Sequence, residues 1–137
     1  MLHRFAFMGL LMVAVLVAPK AKAGQAELLY FFSELCEYCE LWDEEVGTSY
    51  GLTQEAKILP LRPVDLDKDL PADLAHIDNV VYTPTFIVYR DGKEVGRLVG
   101  YNGPDFFWGY LSPLLKKVQG IAASAQASTA AGACTTC

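Results

Sequence analysis

Apolar residues in this chain gather in short runs, which are separated by polar segments containing Gly and Pro. Residues 26–32 form a compact run with LLYFF at its centre, which is typical of a buried strand. Residues 85–90, TFIVYR, are mostly β-branched and aromatic and predict another strand. Asp91 and Gly92 then give a hairpin signal, and residues 93–99 return as the partner strand. The pattern therefore predicts one isolated buried strand and one antiparallel hairpin.

Helices are predicted where apolar positions recur at helical spacing. From Cys36 onward, Leu41, Trp42 and Val46 give a helix one apolar side, and we expect Gly47 to end it. The other predicted elements are a helical turn at 52–56, a strand at 59–66, a short helix at 71–77, and a helix that begins at Pro104 and is kinked or restarted by Pro113.

The order of these elements predicts the fold class. The first half is a β-α-β unit and the second half ends in a hairpin, so the sheet has parallel and antiparallel pairs. Pro60 and Pro63 cannot donate to a ladder and place the strand at 59–66 at an edge. We expect an α/β fold with a mixed four-stranded sheet flanked by helices on both faces.

Length and composition fit one packed domain. The chain has 137 residues, of which 53% are hydrophobic and 20% charged, so global disorder is not expected. Its formal net charge is −5 and its pI is about 4.9. An acidic chain lacks the basic face that nucleic acid or an anionic membrane requires, so we expect neither as the main partner.

Residues 1–23 predict a cleaved signal peptide. His3 and Arg4 precede an apolar run at 5–18, which is shorter than the ~20 residues that span a bilayer. Ala-Lys-Ala at 21–23 fits a small-x-small cleavage site, which makes 24–119 the folded domain. An uncleaved anchor or a buried helix is the alternative. Export across the inner membrane would place the protein in the periplasm, where disulfides persist.

The four cysteines form two CxxC pairs, Cys36–Cys39 and Cys134–Cys137. The first pair directly follows a predicted strand and opens a predicted helix, whose N-terminus stabilises a thiolate. We expect Cys36 to be the exposed, attacking thiol and Cys39, one turn on, to be the more buried thiol that resolves the mixed disulfide. The alternatives for this pair are a copper or zinc site and an inert structural disulfide.

A zinc site would need two further ligands, and the second CxxC pair is their obvious source. Residues 40–133 separate the two pairs, far beyond the spacing of a zinc ribbon. We therefore expect no resident metal and no cofactor, and keep a soft-metal carrier as the alternative function.

Acidic residues surround the first pair. Glu34, Glu37 and Glu40 lie within four residues of a cysteine, and like charge disfavours a thiolate. A less stable thiolate makes the reduced dithiol less favoured, so the pair should be a better reductant than oxidant. These features predict a thiol–disulfide oxidoreductase that acts as a reductase of a partner protein.

Several segments resemble the thioredoxin superfamily, over about residues 26–119. The segments are the strand LLYFF, Cys36-Glu-Tyr-Cys39, Thr83-Pro84-Thr85, the hairpin FIVYRDGKEVGRLVGY and Gly100. The resemblance implies that Pro84 follows a cis peptide bond and lies against the cysteine pair. It also implies that the substrate contacts Thr83, Pro84, Glu37 and Tyr38.

The chain departs from ordinary thioredoxins at two places in this region. Their cysteine pair encloses Gly-Pro, whereas Glu37 and Tyr38 stand here. They also carry a buried acid six residues before the first cysteine, and here that position is Tyr30. Glu40 or water then remains as the proton acceptor for Cys39.

A narrower resemblance is to the periplasmic SoxS-type thioredoxins of bacterial sulfur oxidation. It is carried by ELWDEEVG after the cysteine pair, PLRPVDLDKDLPADL, TPTFIVYRDGKEVGRLVGY and, above all, GPDFFWGYL. The resemblance implies that the partner is the sulfur-carrier complex SoxYZ. It implies a membrane thiol transporter of the CcdA/DsbD kind as the electron donor. We also expect a monomer.

Residues 120–137 change in composition to Gly, Ile, Ala, Ser, Gln and Thr and end in Cys134 and Cys137. Such a segment buries little apolar area, so we predict a flexible tail. A flexible linker of about 15 residues has a typical span of ~20 Å, which would let an accessory redox pair reach Cys36 and Cys39. The alternatives are a passive oxidised dithiol and a soft-metal hook.

Overall fold

The computed structural model describes residues 25–132 and centres on a four-stranded sheet in the order β2-β1-β3-β4. The strands are β1 (Ala26–Phe32), β2 (Leu61–Asp65), β3 (Thr85–Arg90) and β4 (Lys93–Val99). The helices are α1 (Glu37–Trp42), α2 (Thr48–Tyr50), α3 (Gln54–Ile58) and α4 (Pro104–Gly132). A π-helical turn at Asp43–Gly47 joins α1 to α2, and a 3-10 turn spans Ala72–Leu74.

The sheet is mixed, as the sequence predicts. β1 pairs in parallel with β2, with Phe32 opposite Asp65, and antiparallel with β3, with Phe31 opposite Thr85. β3 and β4 form the predicted antiparallel hairpin. The edge position of β2 is confirmed, and β1, β3 and β4 have their predicted bounds. Because β1 and β3 are antiparallel, the end of β1 and the start of β3 lie at one end of the sheet.

Side chains that alternate along β1 build a core on each face of the sheet. Leu28 and Tyr30 pack into the first core with Trp42, and both CxxC cysteines near β1 belong to it. Leu29 and Phe31 pack into the second core, which the 3-10 turn and the segment after it cover. The cysteine pair therefore packs against the apolar interior on this face of the sheet.

The predicted helix end at Gly47 is wrong, because the backbone stays helical from Glu37 through Tyr50. Gly47 has a right-handed helical φ of −56°. A Cβ at this position would lie 2.8 Å from the ring of Trp42 and 2.8 Å from the Asp43 carboxylate. The glycine is therefore required by a close approach inside the helix and not by a turn.

The flexible tail predicted from residue 120 is also corrected, since α4 continues to Gly132. Ala is the best helix former, and this segment is rich in it, so local propensity sustains the helix where burial does not. Pro113 does not interrupt α4. Because proline has no N–H, the Gly109 carbonyl lacks its helical hydrogen bond. Gly109 and Pro113 are both exposed, so water can hydrogen-bond to that carbonyl.

Two short elements differ from their predictions, and the predicted signal peptide lies outside the described residues. The helical turn expected at 52–56 is α3, which starts later because Thr53 caps it by accepting the Ala56 N–H. The helix expected at 71–77 is reduced to the 3-10 turn. The predicted signal peptide precedes residue 25 and is not described. Within residues 25–132, no helix is long and apolar enough to cross a membrane.

Candidate active site

The cysteine pair lies where β1 turns into α1. A backbone hydrogen bond from the Cys36 N–H to the Ser33 carbonyl, 3.2 Å, closes the turn after β1. Cys36 is the N-cap of α1, and its Sγ accepts the Cys39 N–H at 3.1 Å. The predicted placement of Cys36 at a strand end and a helix start is confirmed.

Cys36 and Cys39 form a disulfide, with their Cα atoms 5.2 Å apart. Cys36 is 9% exposed and Cys39 is 3% exposed. The prediction of an exposed Cys36 is wrong for this disulfide form, because its sulfur is bonded to Cys39 and accepts the Cys39 N–H. Cys39 is the less exposed of the two, as predicted.

Asp67 anchors the segment that leads to Cys36, a role that the sequence analysis missed. Its carboxylate accepts the Ser33 hydroxyl at 2.9 Å and the Glu34 N–H at 2.8 Å. The Asp67 N–H in turn donates to the Asp65 carboxylate at 2.9 Å. The loop after the edge strand β2 thereby fixes the turn before the first cysteine, a contact across more than thirty residues that local patterns do not show.

Pro84 lies immediately before β3, at the end of the sheet that also carries Cys36. The Thr83–Pro84 peptide bond is cis, as the resemblance implies. The Pro84 carbonyl accepts the Gly100 N–H at 2.7 Å, and the Thr85 hydroxyl donates to the Tyr82 carbonyl at 2.6 Å. These bonds fix the backbone on both sides of Thr83, which is only partly buried.

Exposed apolar side chains flank both segments of the site. Leu35 is 95% exposed and Tyr38 59%, next to the cysteines, while Val81 and Tyr82 precede Thr83 and are also exposed. Glu37 is exposed as well. A group of apolar side chains left in water beside a reactive pair is typical of a protein-contact surface. We call Leu35, Tyr38, Val81 and Tyr82 the apolar rim.

Tyr30 and Asp43 form a polar contact beneath Cys39 that the sequence analysis missed. The Tyr30 hydroxyl lies 3.3 Å from the Cys39 carbonyl and 3.4 Å from Asp43 Oδ2. Burial raises the pKa of Tyr30, and the Asp43 carboxylate raises it further. Burial also raises the pKa of Asp43, against the lowering effect of the Tyr30 hydrogen bond.

The remaining predicted site residues are only partly described. Glu40, expected as a substitute proton acceptor, is exposed on α1. Cys134 and Cys137 lie outside the described residues, so their role stays a prediction. Within residues 25–132, no three His, Cys, Asp or Glu side chains are grouped so that they could hold a metal ion.

A family model described as a thioredoxin-like domain matches residues 17–114. Among solved structures, the reduced periplasmic thioredoxin SoxS of Paracoccus pantotrophus is 38% identical, with 67% of this chain and 97% of that chain covered and a TM-score of 0.62. The thioredoxin of Fasciola hepatica is 25% identical, with 69% and 82% covered and a TM-score of 0.50.

A curated relative matches a shorter stretch. The TPR repeat-containing thioredoxin TDX of Arabidopsis thaliana is 35% identical over 79 residues, which are 58% of this chain and 20% of TDX. The chain therefore spans about a fifth of the length of that relative.

The fold and the cysteine pair are those of a thioredoxin-like thiol–disulfide oxidoreductase, and the chain belongs to the thioredoxin-like family. Within that family it is similar to the periplasmic thioredoxin SoxS of Paracoccus pantotrophus.

Proposed function

We propose that this protein is a periplasmic reductase that transfers two electrons from its Cys36–Cys39 dithiol to a disulfide on a partner protein. The observation that carries the proposal is the cysteine pair itself, which closes a disulfide at the start of α1. The similarity to the periplasmic thioredoxin SoxS supports the location, as does the predicted signal peptide at 1–23.

The reaction has two steps. The Cys36 thiolate attacks one sulfur of the partner disulfide, the first partner thiolate leaves, and a mixed disulfide forms on Cys36. The Cys39 thiolate then attacks Cys36 Sγ, the second partner thiolate leaves, and the Cys36–Cys39 disulfide forms. The partner gains two electrons, the protein loses two, and the thiol protons pass to the solvent or to nearby bases.

The charges around the pair support this direction of electron flow. Glu34, Glu37 and Glu40 are all exposed near the cysteines, and like charge disfavours the thiolate of the reduced state. A destabilised reduced state makes the dithiol a reductant. Water screens these exposed charges, so their effect adjusts the reduction potential by a modest amount.

The partner and the electron donor are proposed from the SoxS-type resemblance. The partner is the sulfur-carrier complex SoxYZ, whose inactivated cysteine would accept the electrons. A membrane thiol transporter of the CcdA/DsbD kind would restore the dithiol. The protein acts as a monomer in this scheme, because the reaction needs one cysteine pair and one partner.

Substrate recognition is proposed at Thr83, Pro84, Glu37 and Tyr38. Among residues 25–132, the Thr83 backbone N–H and carbonyl have no backbone partner, so they can pair with an extended segment of the substrate. The apolar rim on either side would cover apolar side chains of that segment. Glu37 would favour a basic or neutral partner surface.

The first test is the reduction potential of residues 24–137. The protein is equilibrated in dithiol–disulfide buffers, its thiols are trapped, and oxidised and reduced forms are counted by mass. A potential near the ~−270 mV of thioredoxin supports the reductase, and one near the ~−120 mV of a strong disulfide donor overturns it.

A trapping experiment tests the site. We expect Cys39→Ser to accumulate a mixed disulfide with the partner, whereas Cys36→Ser forms none. Disulfide reduction that continues in both variants would contradict the proposal.

The mass of the protein recovered from the periplasm tests cleavage after residue 23.

A further inference from the structure

The resolving thiol needs a group that takes its proton, and Tyr30 stands where the resemblance leads one to expect an acid. Tyr30 is 3% exposed, and burial and the nearby Asp43 carboxylate raise the pKa of its hydroxyl. A phenol with a raised pKa stays protonated at neutral pH and donates a hydrogen bond. Tyr30 therefore cannot itself be the base for Cys39.

The Tyr30 hydroxyl instead points to a carboxylate from the helix. It lies 3.4 Å from Asp43 Oδ2 and 3.3 Å from the Cys39 carbonyl, so it bridges the two residues. Asp43 comes four residues after Cys39, on the same side of the helix, and its N–H also donates to the Cys39 carbonyl. The carboxylate is thus held to the helical turn that carries the resolving thiol.

The π-helical turn contributes to this placement. It begins at Asp43, and such turns occur often at functional sites. Gly47 lies one turn further on and leaves room for the Asp43 carboxylate. A Cβ at position 47 would lie only 2.8 Å from Asp43 Oδ1. The helix backbone and Tyr30 together fix where the carboxylate lies.

We propose that Asp43 is the proton acceptor for the Cys39 thiol and that Tyr30 is the residue that positions it. In the resolving step the Cys39 thiol gives its proton to the Asp43 carboxylate. The resulting thiolate attacks Cys36 Sγ, and the partner sulfur leaves with the electron pair of the broken mixed disulfide. Asp43, now a neutral acid, releases the proton to water through its exposed side. The inference rests on the proposed function and names one more residue of the same site.

The surroundings of Asp43 favour such a role. The titratable group that contacts it is Tyr30 from β1, and Glu40 and Glu44 lie on its own helical stretch, while β3 and α4 contribute the apolar Phe86 and Phe107 to the core that holds Tyr30. Burial raises the pKa of the Asp43 carboxyl, which brings it closer to the range in which a base exchanges protons at neutral pH.

The test follows the Cys36–glutathione mixed disulfide formed from reduced protein and oxidised glutathione. Its decay is measured by acid quench and mass spectrometry from pH 5 to pH 9. We expect Asp43→Asn to slow the decay about tenfold at pH 6–7 and to recover the wild-type rate near pH 9, where Cys39 ionises without an acceptor. Tyr30→Phe should slow it less and leave both ends of the profile unchanged.

The sign of the effect separates proton transfer from simple charge. Removing a negative charge near Cys39 would by itself stabilise the thiolate and speed the decay. Glu44→Gln makes the same charge change on an exposed neighbour and should leave the profile unchanged. A faster or unchanged decay in Asp43→Asn overturns the inference, and so does a slowed decay in Glu40→Gln with a normal one in Asp43→Asn.

A last measurement isolates the first step. In a Cys39→Ser background, mixed disulfide formation by Cys36 should have the same rate with and without the Asp43→Asn substitution. If Asp43→Asn slows this attack as much as it slows the decay, the residue acts on the whole site and the inference fails. If wild-type protein forms no mixed disulfide at all, the proposed function fails instead.

Discussion

Gly47 lies where the helical backbone passes closest to the buried Trp42 ring. That ring is 0% exposed, and its centroid lies 4.5 Å from that of Tyr30 and 4.9 Å from that of Phe86, so it has little room to move. We expect Gly47→Ala to destabilise the protein. Overpacking typically costs about 1–3 kcal/mol, whereas Ala gains roughly 1 kcal/mol over Gly in a helix, so the cost outweighs the gain. The urea unfolding midpoint measures the change.

Gly51 is the matched control for that substitution. It has a helical φ of −60°, and nothing lies within 4 Å of where its Cβ would be. Gly51→Ala should leave stability unchanged or raise it by about 0.4–1 kcal/mol, because it restricts the unfolded chain. Equal effects of the two substitutions would show that the Trp42 contact does not decide the residue at position 47.

The ion pair of Arg62 and Asp73 gives stability a defined pH dependence. The guanidinium donates to Asp73 at 2.7 and 3.0 Å, and this hydrogen bonding lowers the pKa of Asp73 below its ordinary 3.8. A lowered pKa contributes stability above the unfolded value, and this contribution is lost as pH falls through the folded-state pKa. Since the Asp73 side chain is 60% exposed, we expect less than about 1 kcal/mol.

Asp73→Asn should therefore lower the urea midpoint slightly at pH 7, and the difference from wild type should shrink toward pH 2. Asp69→Asn, an exposed neighbour with the same charge change, serves as the control. A deficit that is as large at pH 2 as at pH 7 would contradict the assignment to the ion pair.

At the scale of elements, α4 has a buried part and an exposed part. Leu115 and Val118 are 8% and 2% exposed and belong to the first core, whereas Ile121 is 40% exposed and the side chains described after Ala122 are exposed. We expect truncation after Ile121 to change stability by less than about 0.5 kcal/mol while the helical signal in circular dichroism falls. Leu115→Ala should cost about 2–4 kcal/mol. A large loss on truncation would show that the distal helix is packed.

Elements whose local signals agree with their tertiary contacts could be predicted from the sequence. β1, β3 and β4 have runs and turn residues that match their burial, so their bounds follow directly. Gly47 and α4 could not be predicted in this way, because a ring contact explains the first and Ala propensity outweighs the lack of burial in the second.

The site shows the same division. The cysteine pair and Pro84 follow from motifs, whereas Asp43 contacts Tyr30 across 13 residues and Asp67 contacts Glu34 across 33. Both contacts join a strand or its loop to the cysteine segment, and no local pattern encodes which of the many acidic residues will lie there.

At the scale of the whole molecule, α4 places its C-terminal end far from the cysteine pair. Phe107 packs on Phe86 at the site end of β3, and the Val118 carbonyl accepts Arg90 at the opposite end, so the helix runs away from the cysteine pair. From Phe107 to Gly132 the helix rises about 37 Å. Only Ala133 lies between Gly132 and Cys134, and the backbone from Gly132 to Cys134 extends at most about 7 Å. The continuous helix therefore lacks the flexibility that would let the tail cysteines reach the cysteine pair of the same molecule.

The tail pair should therefore exchange with Cys36 of another molecule rather than its own. In Cys39→Ser/Cys137→Ser, which keeps Cys36 and Cys134, mild oxidation should give disulfide-linked dimers whose yield rises with protein concentration. A Gly/Ser linker of equal length in place of residues 121–132 has a typical span of ~20 Å. This replacement should produce the Cys36–Cys134 bond within one chain. A monomeric Cys36–Cys134 disulfide in the variant with the native helix, independent of concentration, would show instead that α4 opens readily enough to bring the tail back to the site.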